Sequence, residues 1–326
     1  MTTPAVTLDV RLDAAAMREA LERDAAAGLL STPKTLPPVW FYDDVGSELF
    51  DQITRLPEYY PTREERSLLE AHAAEIARAT GASTLVELGA GTCTKTRILL
   101  DAMATGGTLR RYVAVDVAES TLVTATREIA AEYPDVQVTA TIADFHHLEG
   151  LFARDGTTLV AFLGGTIGNL EPDERRTFLV GLDAELDHGD AFVLGTDLVK
   201  DRSRLVAAYN DASGVTASFN RNVLRVLNRE LGANFDVDAF SHIARFDEGH
   251  QWIEMLLRAR SAQRVSIPGL GIEITFEEGE DLRTEVSAKF TPASIARELD
   301  RDGFVVDHQF GVSRGEFLLT LSHPYC

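Results

Sequence analysis

TLVELGAGTCTKT, residues 84–96, is the stretch on which the fold turns. Its first five residues are the apolar run of a buried strand, and Thr92 to Thr96 open a helix. Between them Gly89 and Gly91 supply the backbone freedom of a tight turn and let a ligand approach the main chain. The third glycine of a dinucleotide fingerprint is replaced by Thr94, giving G-x-G-x-x-T, so a pyrophosphate is a poor match. Taken alone, the loop also reads as a plain strand-to-helix turn.

Working outward, the rhythm of that stretch repeats. Helix SLLEAHAAEIARAT precedes it; strand RYVAVD, helix AESTLVTATREIAAEY, strand VQVTATIADF, strand TLVAFLGG, helix PDERRTFLVGLDAEL and strand DAFVLGTD follow. Five mostly apolar strands separated by helices or crossovers predict an α/β fold with a doubly wound parallel sheet covered on both faces. Ligands of such sheets bind beyond the carboxyl ends of the strands. Asp116 closes the second strand, 27 residues after Gly89, where a carboxylate can accept two ribose hydroxyls. Asp144, followed by Phe145, closes the third, where an acid can take an exocyclic N–H and a ring can pack on a base. Each also has a packing role open to it, Asp116 as a helix cap and Asp144 as a turn residue. Together with ELGAG, these strand ends resemble the class I (Rossmann-like) methyltransferases that bind S-adenosylmethionine; NAD enzymes are the lesser reading.

The flanks differ. Up to about residue 64, a helical pattern AAMREALERDAAAGLL leads through proline turns into VWFYDDVGSELFDQI, and six rings (Trp40, Phe41, Tyr42, Phe50, Tyr59, Tyr60) suit either an interface or the wall of a small-molecule pocket. After Asp197 comes a long helical region broken near Gly214, then alternation of antiparallel type between Ala244 and Phe290. The last stretch returns to a helix and two strands that complete the first sheet. The expected division is a cofactor-binding domain of 65–199 plus 288–326 and an inserted α+β substrate-binding domain of 1–64 plus 200–287.

The whole chain of 326 residues is 45% hydrophobic and 25% charged, the balance of a folded globular protein. Its 31 basic and 51 acidic side chains leave a charge of −20, which argues against nonspecific binding to nucleic acid or acidic membrane surfaces. Cys93 and Cys326 are too few for a disulfide scaffold or a four-cysteine metal site, and a reducing cytoplasm fits them. Met1–Arg11 lacks the pattern of a secretory signal, and no run approaches the 18 apolar residues of a membrane span. His146-His147 is an adjacent pair rather than a ligand spacing, and HExxH does not occur, so no metal is expected.

Six segments carry a closer resemblance: LPPVWFYDDVGSELFDQITRLPEYYPTR (36–63), VELGAGTCTKTR (86–97), FLGGTIGNL (162–170), VLGTDLVKD (193–201), AYNDASGVTASFNRN (208–222) and LRTEVSAKF (282–290). In content, order and spacing the chain resembles the histidine-specific Nα-methyltransferases of ergothioneine biosynthesis. That resemblance implies a two-domain, cytoplasmic monomer that moves three methyl groups from S-adenosylmethionine to the α-amino group of L-histidine, releasing hercynine. It places the cofactor on Gly89, Lys95, Asp116, Asp144 and Phe145. It places the substrate carboxylate and amine on Asn169 and Tyr209 with Gly164 nearby, and the imidazole on Glu285 and Ser287. Tyr59, Phe50 and Tyr42 form walls, and Met255 shapes the pocket near the ring. Tyr59 and Asn169 are the implied catalytic pair, with Tyr59 orienting the amine or relaying its proton.

One part stands apart from the resemblance. Glu285-Val286-Ser287 has the period-two spacing that puts a carboxylate and a hydroxyl on one strand face. Packing alternatives remain for the others: Lys95 as a surface lysine, Asn169 as a cap for the helix at PDERR, Tyr209 as an interface ring, Met255 as core, and Cys93 as packing. Two rival functions follow, an N-methyltransferase of the same scaffold acting on another aromatic amino acid, and a noncatalytic ligand-binding module. An indole pocket would replace the acid at 285, and a noncatalytic module would lose Gly89, Asp116 or Asn169.

Overall fold

The computed structural model describes residues 6–144, 148, 150–152, 156–311 and 315–325. In chain order the elements run β1 (Thr7–Val10), α1 (Ala14–Leu29), β2 (Lys34–Thr35), α2 (Asp44–Thr54), α3 (Pro61–Thr80), β3 (Thr84–Leu88), α4 (Thr96–Thr105), β4 (Arg111–Asp116) and α5 (Glu119–Glu132). They continue with β5 (Gln137–Ile142), β6 (Thr158–Phe162), α6 (Pro172–Glu185), β7 (Ala191–Asp197), α7 (Arg202–Ala208), α8 (Val215–Leu231), β8 (Phe240–Asp247) and β9 (Trp252–Ala259). The last are β10 (Gln263–Ile267), β11 (Ile272–Phe276), β12 (Asp281–Ala288), α9 (Pro292–Arg301), β13 (Phe304–Gly311) and β14 (Phe317–Pro324). The chain divides into two compact units, one of residues 1–11, 61–199 and 289–326, the other of 12–60 and 200–288.

The first unit is built on an eight-stranded sheet in the order β1-β5-β4-β3-β6-β7-β14-β13. The strands from β1 to β7 run parallel, whereas β14 runs antiparallel to both β7 and β13. Every residue of β3, β6 and β7 is buried, as a sheet covered on both faces requires. Helix α3 packs on α4 and β14, α5 on β5, and α9 on β13. From β3 the order departs in both directions, to β4 and β5 on one side and to β6 and β7 on the other. The carboxyl end of β3, where the glycine loop begins, is therefore the switch point of the sheet. This is the doubly wound, Rossmann-like architecture of class I methyltransferases.

Three boundaries differ from the expected division, one of them by a single residue, since Ala288 falls in the second unit. Residues up to Arg11 side with the first unit rather than with a domain of 1–64, because β1 pairs with β5 from Thr7↔Thr139 to Val10↔Ile142 and covers its outer edge. Residues 61–64 also join it, because α3 starts at Pro61, whose fixed φ suits a first helical turn. Where the chain leaves and re-enters this unit, the bridge between Leu198 and Phe290 and a buried Lys289–Asp197 ion pair of 2.9 Å close it.

The second unit holds a four-stranded sheet in the order β2-β12-β9-β8, antiparallel except for the short β2, and a separate β10-β11 hairpin. Helix α8 packs against α2, β8 and β9, and Phe219, Val223, Leu224 and Leu227 form its buried apolar stripe. Of the six rings noted in the sequence, Trp40, Phe41, Tyr59 and Tyr60 are buried in this core, and Trp40 Nε1 donates to Asp24 at 3.1 Å. Among the described residues no helix is long and apolar enough to cross a membrane, and no group of three or more His, Cys, Asp or Glu is arranged to hold a metal ion.

Candidate active site

The loop after β3 gathers most of the expected cofactor residues. Gly89 and Gly91 take φ of +69° and +51°, a region costly for other residues. A side chain at Gly89 would meet only the edge of Phe162, and one at Gly91 would meet nothing within 4 Å. Conformation, not crowding, thus demands glycine at both positions, and open space remains above the loop. Asp116, at the end of β4, accepts the N–H of Gly91 at 2.8 Å through one oxygen and that of Ala118 at 2.9 Å through the other. It holds the turn that leads into α5 and the glycine loop at once. Burial pushes its carboxyl upward, opposed by those backbone donors. Each carboxylate oxygen accepts more than one hydrogen bond, so capacity for ribose hydroxyls remains. Asp144 follows β5 at the adjoining strand end, half-buried; Phe145 lies outside the described residues.

Lys95 ends the loop just before α4, and its ammonium bonds to Glu65 of α3. Glu65 is fully buried and its other oxygen accepts the Gly164 N–H at 2.7 Å. Gly195 of β7 makes room for that acid, since a Cβ there would lie 2.1 Å from Glu65 Oε1. Lys95 and Gly164, one expected at the cofactor and the other at the substrate, are thus tied to one carboxylate that sequence reading missed. Gly164 and Gly165 both take positive φ, and a single 3-10 turn, Thr166–Asn169, follows. Asn169 is half-buried at its end. The start of α6, which Asn169 was able to cap, is served instead by Glu174, whose carboxylate accepts the Glu171 N–H at 2.7 Å.

Beneath the loop lies a second missed acid, Glu87 of β3. Thr96 and Tyr112 both approach its Oε2, Tyr112 at 2.8 Å, and Tyr112 Oη also lies 3.2 Å from Cys93 Sγ. Burial raises the Glu87 carboxyl to about 7, against the lowering effect of Thr96, Tyr112 and Lys95. Burial also pushes the Cys93 thiol well up, away from the thiolate a nucleophile needs. Cys93 packs, as its surroundings in sequence suggest.

In the second unit the expected walls form one run of ring contacts. Tyr42 meets Phe50 edge-on at 5.5 Å, Phe50 meets Tyr59 at 6.2 Å, and Tyr59 meets Tyr209 at 6.2 Å. Phe219, which sequence reading missed, contacts both Tyr42 and Phe50. Tyr209 Oη and Ser287 Oγ share a hydrogen bond of 2.7 Å, which joins the aromatic run to β12. Glu285 lies directly across from Met255 on β9, and both are buried. Tyr42, Phe50, Tyr59, Tyr209, Met255, Glu285 and Ser287 therefore share one unit, whereas Gly164 and Asn169 belong with the cofactor residues in the other.

The first unit offers a switch-point loop with a ribose-type acid, and the second a ring-lined wall bearing a carboxylate and two hydroxyls. The profile of the family described as "Histidine-specific methyltransferase, SAM-dependent" matches residues 21–324. The chain is 53% identical to the histidine N-alpha-methyltransferase of Mycolicibacterium smegmatis (strain ATCC 700084 / mc(2)155) over 304 residues, covering 93% of this chain and 95% of that protein. It is 52% identical to the protein of the same name from Mycobacterium tuberculosis (strain CDC 1551 / Oshkosh) over 303 residues, covering 93% and 94%. Among solved structures, a S-adenosylmethionine-dependent methyltransferase from Clostridium acetobutylicum ATCC 824 superposes with a TM-score of 0.50 at 12% identity, over 86% of this chain and 99% of that one, a likeness of fold. A profile match over nearly the whole chain, with relatives 52% and 53% identical over 93% of it, makes this protein a member of the histidine-specific, S-adenosylmethionine-dependent methyltransferase family.

Proposed function

We propose that the protein methylates the α-amino group of free L-histidine three times, giving hercynine and S-adenosylhomocysteine, as a step of ergothioneine biosynthesis. The observation that carries this reading is the pairing of Glu285 and Ser287 on one strand face beside Met255, with Ser287 bonded to Tyr209. Glu285 accepts an imidazole N–H and Ser287 exchanges a hydrogen bond with the ring. A substrate without those ring nitrogens would forfeit both hydrogen bonds, which is the physical basis of selectivity. Two cysteines in 326 residues support a reducing cytoplasm as the setting, and we assign a monomer as the working form.

The cofactor supplies an electrophilic methyl group on a sulfonium, and in the transfer the S–C bond breaks as the N–C bond forms and the positive charge passes from sulfur to nitrogen. Because that charge is relocated and not created, the main work of the chain's own groups is to align and dry the reactants. Asp116 would take the ribose, Gly89 and Gly91 would leave room at the backbone, and Lys95, held by Glu65, would bind the methionine carboxylate end. Asn169 and Tyr209 hold the substrate's carboxylate and amine, and the Tyr59 hydroxyl orients the nitrogen. That nitrogen must be neutral. With a pKa of roughly 9, only about 3% of it is neutral at pH 7.5, so each cycle draws on a small standing fraction and sheds a proton to water, directly or relayed through the Tyr59 hydroxyl. A dimethylated amine keeps one lone pair, and the trimethylated product has none, which ends the sequence.

Mass spectrometry after incubation with S-adenosylmethionine and all twenty amino acids tests the reading. Histidine alone should gain three methyl groups, all on one nitrogen outside the ring. Ring methylation, or comparable turnover of tryptophan, would overturn it.

A further inference from the structure

Strand β12 carries an irregularity immediately before Glu285. Leu282 pairs with Leu257 and Arg283 with Leu256, but the next pair is Glu285 with Met255, so Thr284 is an extra residue with no partner of its own on β9. Directly paired residues share a sheet face, and Ile253, Met255 and Leu257 all point into the core. Leu282 lies on that core face. Regular alternation from Leu282 would send Glu285 and Ser287 to the opposite face, with Arg283. The extra residue reverses the alternation and brings both to the side of Met255.

Thr284 is pinned in this position. Its Oγ1 lies 2.6 Å from Asn220 Oδ1, on α8, and 3.1 Å from the Met255 carbonyl. Asn220 is fully buried, and its amide nitrogen lies 3.1 Å from the Leu256 carbonyl and 2.9 Å from His242 Nδ1. A carbonyl only accepts, so the nitrogen of Asn220 must face Leu256, and its second N–H then requires a lone pair on His242 Nδ1. The His242 proton is thereby fixed on Nε2, which donates to the Tyr209 carbonyl at 2.8 Å. Burial holds the His242 ring below the usual imidazole range and Arg221 adds to this, while the Tyr209 carbonyl and Asp211 oppose it. One chain of hydrogen bonds thus joins the residue that sets the face of Glu285 to the residue bonded to Ser287.

We infer that Thr284, Asn220 and His242 are positioning residues for ring recognition, holding the extra residue of β12 so that Glu285 and Ser287 meet the imidazole. The inference rests on the histidine reading above. It is tested with Thr284→Val, which keeps the branched shape and removes the hydroxyl, and Thr284→Ser, which keeps the hydroxyl, each compared with wild type by steady-state kinetics and by direct titration of histidine and of S-adenosylmethionine. Thr284→Val should raise the histidine KM and Kd about tenfold, the effect of one lost hydrogen bond, with kcat within about threefold and cofactor affinity within about twofold. Thr284→Ser should stay close to wild type. Unchanged histidine affinity in Thr284→Val, or an equal defect in Thr284→Ser, overturns the inference. Should Thr284→Val fail to fold, the ring ¹⁵N shifts of His242 in wild type decide: a neutral ring protonated on Nε2 upholds the relay, and one protonated on Nδ1 overturns it. The wild-type control separates the two levels. No turnover of histidine removes both the functional reading and the relay, whereas turnover with an unmoved Thr284→Val removes the relay alone.

Discussion

In the first unit the polar side chains nearest the glycine loop stand mostly at or near the carboxyl ends of strands, with Glu87 on β3 and Asp116 on β4 holding the loop and the helices that follow, while Glu65 reaches in from α3. In the second unit they run through the core itself, where Asn220, His242 and Thr284 link one helix to three strands. The first arrangement, Glu65 aside, is local: Asp116 grips backbone two residues ahead and one strand away, and Glu87 holds the Thr96 and Tyr112 side chains. The second is assembled from residues 22 and 64 positions apart in the chain, and each depends on the others for its hydrogen-bonding role. A loop that must bind a common cofactor is held by backbone geometry, whereas a pocket that must choose one ring is held by side chains whose donors and acceptors admit a single arrangement.

The largest expected effect tests the cost of burying an acid beneath the loop. The folded Glu87 carboxyl stands at about 7 against an ordinary 4.5, so the fold retains a proton that the unfolded chain releases. Stability from this group is complete below about pH 4.5 and falls away as pH rises through about 7, a difference of about 3 kcal/mol. Glu87→Gln removes the titration, and its urea unfolding profile should therefore flatten between about pH 5 and 8 relative to wild type. Parallel profiles would mean that Glu87 is ionised at no cost and that the first unit does not store strain under its loop.

Glu285→Ala comes next and bears on the second unit. The histidine kcat/KM should fall about 10–150-fold, or about 1.5–3 kcal/mol, as an imidazole N–H loses a charged acceptor. Asp116→Ala should weaken S-adenosylmethionine by about 1–3 kcal/mol, somewhat less because the ribose hydroxyls regain water when the carboxylate is removed.

The same contrast explains what the sequence discloses. The parallel sheet, its switch point and Asp116 are legible because apolar runs, a G-x-G turn and an acid at a strand end are short-range patterns. The spacing of Glu285 and Ser287 is equally legible, but not the face they take, because an extra residue at Thr284 leaves no mark in a sequence already alternating. Glu65 is invisible among the charges of TREERS, since its partners Lys95 and Gly164 lie 30 and 99 residues away. Asn220 did leave a trace: it is a polar residue on the buried stripe of an amphipathic helix, next to Phe219. Strand β1 escaped because four residues of mixed polarity, three of them exposed, give no core pattern; the open edge of β5 recruits them.

The central claim is that the first unit holds the methyl donor and the second selects the imidazole. Calorimetric titration of S-adenosylmethionine and of histidine into wild type, Asp116→Ala and Glu285→Ala, each confirmed folded, tests it in one matrix. The account predicts a crossed result, with Asp116→Ala losing cofactor affinity and Glu285→Ala losing histidine affinity while its cofactor affinity stays within about twofold. Equal histidine binding by wild type and Glu285→Ala, or a loss of both ligands in Glu285→Ala, would contradict it.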